Sequence, residues 1–214
     1  MAIKAVLFDM DGVLIEAKEW HYDALNRALN LFGMPISRLD HLTTFDGLPT
    51  MRKLQLLSLE RGLPKELHHF INEMKQHYTM ELIQTQCKPR FGHEFALSNL
   101  KAAGMRLAVC SNSVRQTVTT MMEKSNLAPY LDLMVSNQDV KVGKPDPEMY
   151  QFAMGHFGLQ PAECLIVEDN ENGIKAARAS GAHLLVVKDV AETNLERIMA
   201  AINRVNSSAA QVTA

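Results

Sequence analysis

Two aspartates, Asp9 and Asp11, stand one residue apart at the end of an apolar run, in the stretch AVLFDMDGVLIEAKEWH. In extended backbone, residues two apart point to the same side. Carboxylates held side by side repel, at about 4 Å by roughly 1 kcal/mol in water and by several times more where the effective dielectric is lower. A cation or a shared proton offsets that cost. A lone Asp-x-Asp reads equally well as an acidic turn that caps the next element. Later segments weigh on the choice. CSNS ends a second apolar run with a hydroxyl and an amide, Ser111 and Asn112. VGKPDPEMY sets Lys144 just ahead of a helix, and IVEDNENG adds Glu168 and Asp169 ahead of another. If these ends converge, four acids face Lys144 as the one definite cation. A hard divalent cation resolves the imbalance, and oxygen-only ligands favour Mg2+. Ser111, Lys144 and nearby backbone N–H groups then suit a phosphate.

Such groups need rigid posts. Apolar runs at residues 5–8, 107–110, 131–135, 165–167 and 184–187 lack polar alternation. That is the pattern of strands buried on both faces of a parallel sheet. Between the later runs lie helical stretches at 95–103, ending at Gly104, at 146–157, opened by Pro147 and closed by Gly158, and at 172–180, stopped by Gly181. Strands alternating with helices predict an α/β fold with right-handed crossovers and a site at the carboxyl ends of the strands. From 16 to 84 no strand is evident. Helices are expected at 20–31, closing at Gly33, at 51–61, closing at Gly62, and as one long helix over 64–83. The chain thus reads as a Rossmann-like parallel-sheet core, 1–15 and 85–214, with a small all-helical cap, 16–84, inserted after the first strand. Residues 206–214 are small and polar and are expected to fray.

Bulk properties narrow the class. The 214 residues are 47% hydrophobic and 21% charged, as in ordinary globular domains. A net charge of −2 without a basic block argues against a nucleic-acid partner. No apolar stretch reaches the roughly 18 residues that span a bilayer, so no membrane partner is expected. The N-terminus meets acids too soon for a signal peptide. Cys87, Cys110 and Cys164, with no Cys-x-x-Cys, read as reduced thiols of a cytoplasmic protein. The expected assembly is a monomer or a weak homo-oligomer.

FDMDGVL, VCSNS, GKPDPEMY and VEDNENG, in that order, resemble the four motifs of the haloacid dehalogenase superfamily of phosphotransferases, over about residues 3–16 and 89–190. The Glu168-Asp169 pair and the placement of His21 are similar to the subgroup containing beta-phosphoglucomutase and sugar-phosphate phosphatases. The resemblance implies that Asp9 is the nucleophile, forming an aspartyl phosphate. It implies that Asp11 is the general acid and later the base, which requires its proton to persist near neutral pH. The neighbouring charges favour that only if the Asp11 carboxylate points away from the metal. Asp9, Asp169 and the Asp11 backbone carbonyl would hold Mg2+, with Glu168 acting through water. Ser111, Asn112 and Lys144 would hold the phosphoryl group, and Gly12 would let the backbone approach it. A dehalogenase uses one aspartate and no metal, so Asp11 argues against that chemistry.

The same resemblance places Gly47 in a substrate-reading loop of the cap. Mutases of the subgroup carry an arginine shortly after this glycine; here the position is Thr50, with Arg52 and Lys53 close by. Asp46 stands where a lysine is expected and would hold a bisphosphate poorly, which weakens the mutase reading. His21 reads two ways, as a polar residue at the junction of core and cap or as a hydrogen-bond partner of Asp11 or substrate. His68, His69 and His77 lie on one polar helix without a shared face, so no metal site is expected there. The expected function is a Mg2+-dependent phosphatase acting on a small phosphorylated metabolite, a sugar phosphate above others. The alternative is a beta-phosphoglucomutase-type mutase. A receiver-like signalling module has no use for a cap of about 70 residues.

Overall fold

The structure is a computed structural model that describes residues 2–45 and 47–212, with side chains up to residue 207. Two compact units divide the chain, one of Met1–Glu16 with Lys88–Ala214 and one of Ala17–Cys87. The first holds an all-parallel sheet of five strands among the described residues, in the order β3-β2-β1-β4-β5.

β1 (Ala5–Phe8) is wholly buried, which explains its unbroken apolar run. The helical unit then follows. α1 (Lys18–Asn30) packs on α4 (His68–Gln86), with the short α2 (Arg38–Asp40) and α3 (Thr50–Arg61) between them in sequence. Leu25, Ala28, Leu29, Phe45, Leu54, Leu57 and Ile71 form its core. The expected continuous helix over 64–83 is instead a 3-10 turn, Lys65–Leu67, followed by α4. Pro64 has no N–H, Leu67 N turns back to Pro64 O at 3.1 Å, and Ser58 Oγ meets His68 Nε2 at 2.6 Å where the helix proper begins. His68 is therefore buried, whereas His69 and His77 stay exposed beside Glu73 and Glu81.

The core unit resumes with α5 (Phe91–Ala102), β2 (Arg106–Cys110), α6 (Arg115–Lys124) and β3 (Leu133–Val135). It continues with α7 (Glu148–Phe157), β4 (Cys164–Glu168), α8 (Glu171–Ser180), β5 (His183–Val186) and α9 (Leu195–Val212). One face of the sheet, with Ala5, Leu7, Ala108 and Ile166, packs on Tyr150 and Ala153 of α7 and on Ala176 and Ala177 of α8. Val6, Phe8, Val109 and Val167 point the other way and are equally inaccessible, so both faces are covered. α9 does not fray at 206. It runs to Val212, and Asn206 Oδ1 accepts a hydrogen bond from Ile3 N at 2.9 Å, which ties the helix to the segment just before β1. Residues 213 and 214 lie outside the described residues.

The register fixes the site. Phe8 is level with Val109 of β2 on one side and with Val167 of β4 on the other. The next residues, Asp9, Cys110 and Glu168, therefore emerge together at the carboxyl end of the sheet. The sheet's chain order reverses at β1, which is where such sheets open a crevice. No described helix is long and apolar enough to cross a membrane.

Candidate active site

Asp9 is 4% exposed, and its Oδ1 accepts a hydrogen bond from Lys144 Nζ at 2.6 Å. The same ammonium donates to Glu168 Oε1, also at 2.6 Å. Lys144 is thus shared between two buried carboxylates, and its Nζ lies 4.8 Å from the centre of the Tyr150 ring. Tyr150 Oη donates to Glu168 Oε1 at 2.6 Å, and Asp169 N donates to Glu168 Oε2 at 3.1 Å. Burial above all, then the Glu168 charge, raises the Asp9 carboxyl well above the usual range despite Lys144. Burial pulls Lys144 down, but Asp9 and Glu168 outweigh it and the ammonium is raised. Both directions follow from one cation set among several acids. Burial also raises the Tyr150 hydroxyl, and it pushes the Cys110 thiol to about 12, a core group rather than a nucleophile.

Asp9, Glu168 and Asp169 each bring a carboxylate oxygen within 4.8 Å of the others. Asp9 Oδ2 is buried with no hydrogen-bond partner among the described residues. Oxygen donors, excess negative charge and a buried unpartnered carboxylate oxygen fit a hard divalent cation. The Asp11 carboxylate is outside this trio; its Oδ2 lies 3.5 Å from Ser113 Oγ. Gly12 follows at φ 91°, a conformation that a side chain disfavours.

Ser111 is buried at the end of β2, and its Oγ accepts from Ser113 N at 3.1 Å. Asn112, expected to face phosphate, uses both amide atoms on the Lys144 main chain: Nδ2 donates to the carbonyl at 3.0 Å and Oδ1 accepts from the N–H at 2.9 Å. It therefore aims Lys144. In the helical unit, His21 Nδ1 lies 3.2 Å from Lys75 Nζ, and Gly47 has φ 70°. Thr50 opens α3, and Arg52 is exposed, donating to Gln55 Oε1 at 3.3 Å. Asp46 lies outside the described residues.

Two site residues had no role in the sequence reading, Tyr150 and Gly173. Tyr150 sits on the apolar face of α7, where an aromatic looks like packing. Gly173 was visible as the last letter of VEDNENG. The start of α8 passes so close to Glu168 that a Cβ at Gly173 would lie 1.8 Å from Glu168 Oε1. Glu168 has no exposed surface into which to retreat. Gly173→Ala is expected to displace the Glu168 carboxylate, to destabilise the protein by about 1–3 kcal/mol, and to weaken Mg2+ binding. Denaturant unfolding and calorimetric Mg2+ titration check this; unchanged values in both would show that the contact relaxes at no cost.

A family model described as haloacid dehalogenase-like hydrolase matches residues 6–187. The chain is 29% identical over 182 residues to a phosphorylated carbohydrates phosphatase of Thermotoga maritima, covering 84% of this chain and 82% of that protein. It is 29% identical over 212 residues to a phosphoglycolate phosphatase of Nitrosospira multiformis, covering 93% and 92%. Among solved structures, CbbY of Rhodobacter sphaeroides in complex with phosphate is similar at TM-score 0.79 and 23% identity, over 86% of this chain and 85% of that one. The beta-phosphoglucomutase of Clostridium difficile is similar at TM-score 0.81 and 21% identity, over 94% and 98%, a likeness of fold. With the four motifs in order, their acids gathered at adjacent strand ends around Lys144 and the family model matching residues 6–187, the chain belongs to the haloacid dehalogenase-like hydrolases.

Proposed function

We propose that the chain is a Mg2+-dependent phosphatase of small phosphorylated metabolites, sugar phosphates foremost, working through an aspartyl phosphate on Asp9. The observation that carries this reading is the buried Asp9–Lys144–Glu168 chain beside Asp169, with Asp11 two residues on. The names of the similar proteins, phosphatases of phosphorylated carbohydrates and of phosphoglycolate, support it.

In the first step an Asp9 carboxylate oxygen bonds to phosphorus while the bond to the leaving oxygen breaks. Asp11 delivers its proton to that oxygen. In the second step Asp11 takes a proton from water, the water oxygen bonds to phosphorus, and Asp9 leaves as carboxylate. Lys144 and Ser111 meet the charge on the phosphoryl oxygens, the main term in such transfers. Asp9, Asp169 and the Asp11 carbonyl would hold the cation, with Glu168 behind them, and the cation when bound supplies positive charge to the phosphoryl oxygens. Choice among substrates is assigned to His21, Gly47, Thr50 and Arg52 of the helical unit.

The test is phosphate release from 2-phosphoglycolate, glucose 6-phosphate and beta-glucose 1-phosphate, with Mg2+ and with chelator. Release from one or a few, lost in chelator and restored by Mg2+, is the expected result. Conversion of beta-glucose 1-phosphate to glucose 6-phosphate with little free phosphate would make the chain a mutase and overturn the argument from Thr50.

A further inference from the structure

Tyr150 has no exposed surface and takes no part in the steps above. It lies on α7, within the core unit, against Leu7, Ala108 and Ile166 of the sheet. A buried phenol costs more than a phenyl ring unless its hydroxyl is bonded. The 2.6 Å bond that Oη donates to Glu168 Oε1 therefore accounts for a tyrosine at this place. An ionised carboxylate offers about four acceptor positions, two on each oxygen. Among the described residues, donors fill all those of Glu168. Oε1 takes Tyr150 Oη and Lys144 Nζ, both at 2.6 Å, and Oε2 takes Asp169 N at 3.1 Å and Asn170 Nδ2 at 3.4 Å. The start of α8 closes on the same carboxylate at Gly173, so Glu168 has no room to turn. Of the three N–H donors of an ammonium, Lys144 gives one to Glu168 and one to Asp9 Oδ1 at 2.6 Å, which leaves one directed elsewhere. The same Nζ lies 4.8 Å from the centre of the Tyr150 ring, within reach of a cation–π contact. Tyr150 thus meets both members of the pair, the carboxylate through its hydroxyl and the ammonium through its ring. Without the hydroxyl, Glu168 Oε1 would have an acceptor position left over, and Lys144 is the donor already beside it.

We propose that Tyr150 is a positioning residue for Lys144: its hydroxyl occupies one acceptor position of Glu168 Oε1 and so holds the ammonium out between Glu168 and Asp9, where the remaining N–H meets a phosphoryl oxygen. This rests on the reading of Lys144 as the group that faces the phosphoryl oxygens.

The test uses the full chain with p-nitrophenyl phosphate. Tyr150→Phe deletes one oxygen and keeps the ring. At saturating Mg2+ it is expected to lower kcat about tenfold, less than the roughly 10²–10³-fold of losing a donor outright, and to change KM less than about twofold. The substitution changes no charge, so calorimetric titration should give a Mg2+ dissociation constant within about threefold of wild type, whereas losing a partner that orients a metal ligand costs about 10–100-fold. Lys144→Met is the reference. Effects that run through one residue do not add, so Tyr150→Phe on that background should lower kcat by no more than about twofold further. An unchanged kcat in Tyr150→Phe would overturn the proposal. So would a loss that excess Mg2+ repairs, or one that accompanies Mg2+ binding weakened about tenfold or more, since the hydroxyl would then serve the acids that hold the cation. The full loss repeated on the Lys144→Met background, or failure of Tyr150→Phe to melt cooperatively in excess Mg2+, would overturn it by making the role structural. A Lys144→Met chain as active as wild type would overturn the reading of Lys144 itself; a Lys144→Met loss with no loss in Tyr150→Phe would overturn the present proposal alone.

Discussion

Asp9→Asn lowers phosphate release by about 10⁴-fold or more, the scale of losing a nucleophile, yet leaves the metal-free protein at least as stable as wild type at pH 8. The two effects have opposite signs because Asp9 is placed for chemistry. Its carboxylate is buried among acids and held above its ordinary range by burial and by Glu168. An aspartate raised in the folded state gives stability that is complete below the ordinary carboxylate range and is lost as pH rises through the raised value. Asparagine has no such loss, and its amide oxygen still accepts the Lys144 hydrogen bond that Asp9 Oδ1 accepts at 2.6 Å. In chelator, wild type should therefore melt at progressively lower temperature relative to the variant as pH rises from the ordinary carboxylate range through the raised value. Mg2+ should close the gap for wild type and do little for Asp9→Asn. Phosphate release near the wild-type rate would sink the nucleophile assignment. A variant less stable than wild type at pH 8 in chelator would sink the electrostatic one.

The parts of the fold that could be read in the sequence are those with one dominant cause. β1, β2 and β4 are central strands covered on both faces, and apart from Arg106 at the start of β2 and Glu168 at the end of β4 their side chains are apolar. The acids and Lys144 were legible because several separate segments, FDMDGVL, VCSNS, GKPDPEMY and VEDNENG, agreed on one chemistry where any one alone had a bland reading. What escaped depends on contacts between distant segments. α6 was not among the expected helices; it has no glycine stop, and its helical face shows in the burial of Val118, Met121 and Met122. The break at 64–67 follows from Ser58 reaching His68. Asn112 looks like a ligand donor, and only the fold reveals that both its amide atoms grip Lys144. Tyr150 reaches Glu168 across 18 positions of sequence, a partnership with no periodic signature.

Lys144→Met removes the one ammonium from this buried group while keeping a side chain of similar length to pack over Tyr150. Breaking a buried ion pair from one side costs about 3–5 kcal/mol, because the partner charge stays behind. Here two partners stay behind, Asp9 and Glu168, 6% and 0% exposed in their side chains. The loss is expected at the upper end of that range in chelator at pH 8. It should shrink as pH falls and the raised Asp9 carboxyl takes a proton. Mg2+ supplies charge of the missing sign, and at 100 times its dissociation constant it returns about 2.7 kcal/mol. Activity does not return with it, because the positive group facing the phosphoryl oxygens is gone; about 10²–10³-fold is the scale of losing one such donor. Asp9→Asn in the same chain separates charge from packing. The double variant leaves only Glu168 unpaired, so it should be more stable than Lys144→Met alone by more than Asp9→Asn gains by itself. Additive effects in that cycle would mean that Lys144 holds the site by packing, and that the 2.6 Å contact with Asp9 is geometry without coupling.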